Sequence, residues 1–152
     1  MLAVGEQIPD MTLSDDQGND VRLRDIPAPY ILYFYPADDT PGCTKEACNF
    51  RDSYGALRGA GIDVYGVSPD SVESHVKFRE KYDLPFRLLA DTDHQLADAM
   101  GAWGERTGYG RTWIGILRST FVVGPDGRVE LVYPEVKPDE HASEILRDLH
   151  VS

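Results

Sequence analysis

The chain's two cysteines lie together in Thr40-Pro41-Gly42-Cys43-Thr44-Lys45-Glu46-Ala47-Cys48. The apolar run just before them, Tyr30-Ile31-Leu32-Tyr33-Phe34-Tyr35, reads as a buried strand. Thr40 followed by Pro41 reads as the N-cap and first residue of a helix. Cys43 then falls in the first turn, where N–H groups without intrahelical partners and the positive end of the helix dipole favour a thiolate. A thiolate is the nucleophilic form of the side chain. The same residues admit a plainer account, a capped helix start holding a small buried hydrophobe. The position at the dipole's positive end and the second thiol five residues later weigh against it. Glu46 follows Cys43 by three residues and shares its helix face. A lone carboxylate there would disfavour the thiolate, so Glu46 is expected to pair with an arginine and help position it. The alternative is an exposed Glu favourably placed in a first turn.

The elements that must hold these groups follow from the rest of the chain. With 152 residues it is expected to form one domain, residues 1–152, with enough length to bury a core unaided. Fifteen Lys and Arg face 26 Asp and Glu, a formal net charge of −11, so nucleic acid is not an expected partner. No apolar stretch reaches the length of a membrane span, and residues 1–7 have neither a basic nor an apolar signal region, so no membrane association and a cytoplasmic location are expected. A close cysteine pair in a reducing cytosol suits redox chemistry better than a permanent crosslink.

Met11–Leu13 and Val21–Leu23 flank a turn-forming stretch and read as an N-terminal β-hairpin. The strand at 29–35, a helix over 41–57 stopped by Gly59-Ala60-Gly61, and a strand at 62–68 make a βαβ unit, hence parallel strands. Asp70 or Ser71 can cap a helix through Tyr82, with Val72, Val76 and Phe78 or Arg79 at helical spacing. A strand at 86–90 and a short helix at 94–100 follow. Residues 101–115 read as an irregular loop, with Trp103 and Trp113 as packing residues. Leu117–Val123 and Arg128–Tyr133 around Gly-Pro-Asp-Gly signal a second hairpin, and a last helix starts near Pro138 with Ile145, Leu146 and Leu149 on one side. This order is that of an α/β thioredoxin-like fold: a central mixed β-sheet flanked by helices, with an N-terminal β-hairpin.

At the level of motif, Pro36-x-x-x-Thr40-x-x-Cys43, and more narrowly Thr-Pro-Gly-Cys-Thr-Lys-Glu-Ala-Cys, resembles the peroxidatic motif of peroxiredoxins of the bacterioferritin-comigratory-protein or Q type. Leu-Leu-Ala-Asp-Thr-Asp93, Gly-Ala-Trp-Gly104 and Arg118-Ser-Thr-Phe121 extend the resemblance over essentially the whole chain. It implies a thiol-dependent peroxidase that reduces hydrogen peroxide and organic hydroperoxides in antioxidant defence. Cys43 would be the peroxidatic cysteine, Thr40 the hydroxyl that orients the peroxide, Pro36 the shield of the site and Arg118 the guanidinium beside the thiolate. Cys48 would be the resolving cysteine. The resemblance further implies a monomer recycled by thioredoxin or a similar dithiol; no cofactor and no metal are expected.

The chemistry suits these residue types. A thiolate attacks one peroxide oxygen while the other gains charge, so fixed donors aimed at the developing charge lower the barrier. The product is a sulfenic acid, which a second thiol condenses with to form a disulfide. Spacing makes this demanding: five residues along an intact helix separate Cα atoms by roughly 8–9 Å, whereas a disulfide needs less than about 7 Å. The helix must open locally in each cycle, and Gly42 near its start eases that opening. A disulfide reductase of the same fold would want Cys-x-x-Cys. A metal-binding chaperone would need further ligands, but His75, His94, His141 and His150 show no metal spacing and read as solvated or partly packed. Asp38 and Asp39 read as loop charges. Gly108-Tyr-Gly110-Arg-Thr-Trp113 lacks the third glycine and preceding strand of a dinucleotide site.

Overall fold

Tyr30–Phe34 is a run of five wholly buried residues, and in the computed structural model, which describes residues 1–150, it forms β3, an interior strand of the main sheet. The chain order is β1 (Thr12–Asp15), β2 (Asp20–Arg22), β3, α1 (Pro41–Gly59), β4 (Asp63–Ser68), α2 (Val72–Tyr82), β5 (Arg87–Ala90), α3 (Gln95–Met100), β6 (Trp103–Gly108), β7 (Arg111–Ile116), β8 (Ser119–Val123), β9 (Val129–Tyr133) and α4 (His141–Asp148). Seven strands form one mixed sheet in the order β2-β1-β5-β4-β3-β8-β9. Strands β3, β4 and β5 run parallel through helical crossovers, while β1, β8 and β9 are antiparallel to their neighbours. Continuous apolar strands need cover on both faces. One layer gathers Ile31, Tyr33, Tyr35, Cys43, Phe50, Phe78 and Ile145, with α1, α2 and α4 packed on it. The other gathers Leu32, Phe34, Phe121, Leu96 and Met100 beneath α3. This is the thioredoxin-like architecture expected.

Local chemistry accounts for most element ends. Ser71 caps α2 by accepting from the Ser74 N–H, as one of the two expected candidates. The start of α4 lies at His141, three residues after the expected Pro138. Several expectations are corrected. Residues 103–116 are no irregular loop but a separate hairpin, β6–β7, closed by Tyr109 (φ 52°) and Gly110 (φ 72°), the left-handed pair that a type I′ turn requires. Its few apolar residues hide the alternation, and Trp113, expected to be packed, is 41% exposed beside Arg106. On α2 the inward face is carried by His75 and Phe78, with Val72 and Val76 only half-buried. Neither His75 nor His141 is solvated; both are buried.

Candidate active site

Strand β3 delivers the chain to the site, and the loop 36–40 carries it into α1. Thr40 is the N-cap residue and Pro41 occupies the first helical position, so Cys43 is in the first turn, as expected. The first intrahelical bond is Thr44 N–H to Thr40 C=O at 2.8 Å, so the N–H groups of Gly42 and Cys43 precede the helical ladder and are left for a ligand. The Thr40 side chain does not cap the helix; its hydroxyl donates to the Ala37 C=O at 3.0 Å. Pro36 is half-buried on the same loop, directly after the strand.

Arg118 precedes β8, whose Ser119 pairs with Phe34 of β3. That register sets Arg118 beside the end of β3, where α1 begins. Its Nη2 donates to the Cys43 sulfur at 3.3 Å and its Nη1 to Glu46 Oε1 at 2.6 Å. Cys43, Glu46 and Arg118 thus form one contiguous cluster, with Cys43 1% exposed and Glu46 wholly buried. The arginine partner expected for Glu46 is Arg118. Gly42 lies against this cluster: a Cβ there would stand 3.4 Å from Arg118 Nη2, at ordinary van der Waals contact.

Burial pushes the Glu46 carboxyl up to about 7, against the downward pull of the Arg118 charge and hydrogen bond. Its second oxygen is buried without a partner, which is why desolvation wins. For Arg118, burial opposes the charge, but Glu46 and the Cys43 sulfur more than offset it and hold the guanidinium protonated. The Tyr33 hydroxyl is likewise buried without a partner, and burial, reinforced by Glu46 and Cys43, raises its pKa well above that of an ordinary phenol. The hydroxyl lies over Gly66 of β4, where a Cβ would stand 3.0 Å from it.

Cys48 is half-buried on α1, and both thiols are free. The helix is continuous from Pro41 to Gly59, so Cys43 and Cys48 stand apart on it. Asn49, next to Cys48, accepts from the Ala142 N–H at 2.8 Å, and Lys45 pairs with Asp139 at 3.0 Å, so α1 is tied to the start of α4. An open cleft of about 840 Å³ reaches Arg118 between β6 and the segment 134–137, with Arg106, Leu117, Glu135 and Lys137 on its walls. Among the described residues no three His, Cys, Asp or Glu side chains are grouped to hold a metal ion, and no helix is long and apolar enough to cross a membrane.

Asp38 is not the loop charge that its sequence context suggests. Its side chain is 4% exposed and meets His75 on α2. The available signal was the hydroxyl- and acid-rich setting of His75, with Asp70, Ser71 and Ser74 in the same segment. Neither residue stands out in a reading based on apolar periodicity.

The chain matches the model of the AhpC/TSA family over residues 4–132. It is 45% identical over 149 residues to peroxiredoxin Bcp of Bacillus subtilis, covering 97% of this chain and 95% of that protein. A mutant of Xylella fastidiosa PrxQ superposes with a TM-score of 0.92 at 34% identity, covering 99% of this chain and 96% of the other. The Xanthomonas campestris bacterioferritin comigratory protein, studied for its alkyl peroxide reduction activity in trapped intermediate and ligand complexes, superposes with a TM-score of 0.89 at 35% identity, over 97% and 98% of the two chains.

Proposed function

We propose the following course of reaction for this chain, which belongs to the AhpC/TSA family as a Bcp-type peroxiredoxin and is a thiol-dependent peroxidase. The Cys43 thiolate attacks the nearer oxygen of a hydroperoxide, the O–O bond breaks, and the departing oxygen leaves as alkoxide or hydroxide and takes up a proton. Cys43 is left as a sulfenic acid. The Cys48 thiolate then attacks the Cys43 sulfur, expelling the hydroxyl as water and forming the disulfide. A dithiol reductant of the thioredoxin class returns both sulfurs to thiols by exchange.

The observation that carries this reading is the single guanidinium of Arg118 reaching both the Cys43 sulfur and Glu46. In this position Arg118 stabilises the attacking sulfur and then the charge that grows on the peroxide oxygens. The free N–H groups of the first turn add fixed donors, and Thr40 turns its hydroxyl from the Ala37 carbonyl to the bound peroxide. Pro36 shields this side of the loop from water. The cleft at Arg118 has room for the carbon chain of an organic hydroperoxide, so hydrogen peroxide and organic hydroperoxides are both substrates. We place the reaction in the reducing cytoplasm, where a close pair of free thiols is maintained, and carried out by a monomer.

The test is NADPH consumption with thioredoxin and its reductase, using hydrogen peroxide and an organic hydroperoxide, for wild type, Cys43→Ser and Cys48→Ser. Cys43→Ser is expected to be inactive with every peroxide. Turnover retained in that variant would refute Cys43 as the nucleophile, and undiminished thioredoxin-linked turnover in Cys48→Ser would refute Cys48 as the resolving thiol.

A further inference from the structure

A second cluster of buried charge lies behind the loop 36–40, on the side away from Arg118. Asp38 is its centre. Its Oδ1 accepts from the Tyr35 hydroxyl at 2.6 Å, and its Oδ2 accepts from the Ser74 hydroxyl at 2.7 Å. The same Oδ2 lies 2.7 Å from His75 Nδ1, while His75 Nε2 lies 3.0 Å from the Leu89 carbonyl oxygen. The imidazole has no exposed surface.

A carbonyl oxygen only accepts, so Nε2 donates to Leu89, while Nδ1 and Asp38 Oδ2 share a hydrogen bond. His75 thus ties the 36–40 loop on one side to β5 on the other. The Asp38 N–H donates to Asp70 Oδ2 at 2.7 Å, which also accepts from the Ser68 hydroxyl. The next residue, Asp39, adopts φ 56°, an unfavourable conformation for a residue with a side chain, and is held there by Lys81 and Tyr82 of α2, each at 2.7 Å. Thr40 follows immediately. Every anchor between the end of β3 and Thr40 therefore points to α2 or to the β4 end that feeds it.

From this juxtaposition we infer that His75 is a positioning residue of the peroxidase: through Asp38 it sets the loop that presents Pro36 and Thr40 to the peroxide. The inference rests on the roles given above to Cys43 and Thr40. A purely structural buried pair would stabilise the fold and leave the reaction of the remaining folded molecules unchanged. A positioning pair makes a narrower demand, because displacing the Thr40 hydroxyl misplaces the peroxide without touching the Cys43–Arg118 contact.

The experiment compares wild type, His75→Leu and Asp38→Asn in three measurements: the rate of Cys43 oxidation by hydrogen peroxide, the rate of Cys43 alkylation by iodoacetamide, and the urea unfolding midpoint. Alkylation needs the thiolate but no oriented peroxide. The expected result is a fall of about tenfold or more in the peroxide rate with alkylation changed less than about twofold, at urea concentrations where the variant is folded. Equal peroxide rates in a folded variant, or peroxide and alkylation rates falling together, would overturn the positioning role. Asp38→Asn keeps the loop's volume and serves where His75→Leu does not fold. Cys43→Ser runs alongside: turnover there defeats the reading of the cysteine, whereas its inactivity beside an unaffected His75→Leu defeats this inference alone.

Discussion

Arg118 reaches a sulfur with one nitrogen and a carboxylate oxygen with another, which a planar guanidinium fork can do and a lysine ammonium cannot. The carboxylate is the less comfortable partner. Its folded value of about 7 lies above the 4.5 of an ordinary glutamate, so between those values the folded chain binds more protons than the unfolded chain. Through this group, stability is greatest below about 4.5 and falls as pH rises through about 7. Glu46→Gln should remove that part of the slope, measured by urea unfolding at several pH values across the window. It should also slow Cys43 oxidation by about tenfold, since an uncharged amide holds Arg118 less firmly. Cys43, Glu46 and the need for an arginine were legible in the sequence because helix geometry puts residues three apart on one face. Arg118 itself came only through the resemblance, for nothing local marks one arginine before a strand. His75 and Asp38 were misread because a polar type at a buried position is invisible to apolar periodicity, and only the fold brings residues 37 positions apart into contact.

At the scale of elements, the proposed reaction asks α1 to be rigid when it aims Cys43 and pliable when Cys48 approaches it. The intact helix from Pro41 to Gly59 satisfies the first need in the reduced chain. On the reaction proposed above, closing the Cys43–Cys48 disulfide opens α1 between the two cysteines and disturbs the neighbouring Asn49 bond to the Ala142 N–H. Peroxide-treated protein should therefore show faster amide hydrogen exchange over residues 42–49 and at the start of α4 than reduced protein, while β3 and β4 keep their protection. Equal protection of residues 42–49 in the two forms would rule out the unwinding step. The helix and its cap were readable because Thr-Pro is a strong local signal. The β6–β7 hairpin was not: Gly-Tyr-Gly looks like a breaker until the positive φ of Tyr109 shows that it is a turn between strands.

Across the whole molecule, the sheet separates two apolar layers with different partners. Outside β6 and β7, the order of strands and helices was legible in the sequence, because the turn signals there fall between segments of consistent period. The strand order was less so, since placing the N-terminal hairpin against β5 depends on the Ser14–Ala90 pairing across 76 positions of chain. Phe121 sits wholly buried in the layer opposite the cysteines, edge-on to Phe34. Phe121→Ala should cost about 3–5 kcal/mol, read as a lower urea midpoint. Cys43 oxidation per folded molecule should stay within about twofold of wild type. A selective loss of peroxide rate without loss of stability would contradict that division.

All three helices around the cysteines, α1, α2 and α4, pack on one side of the sheet, and α3 packs on the other. On the proposed cycle, the part of α1 that opens lies on one wall of the sheet. The strand register and the opposite wall hold without it, and so offer the helix a fixed surface to return to.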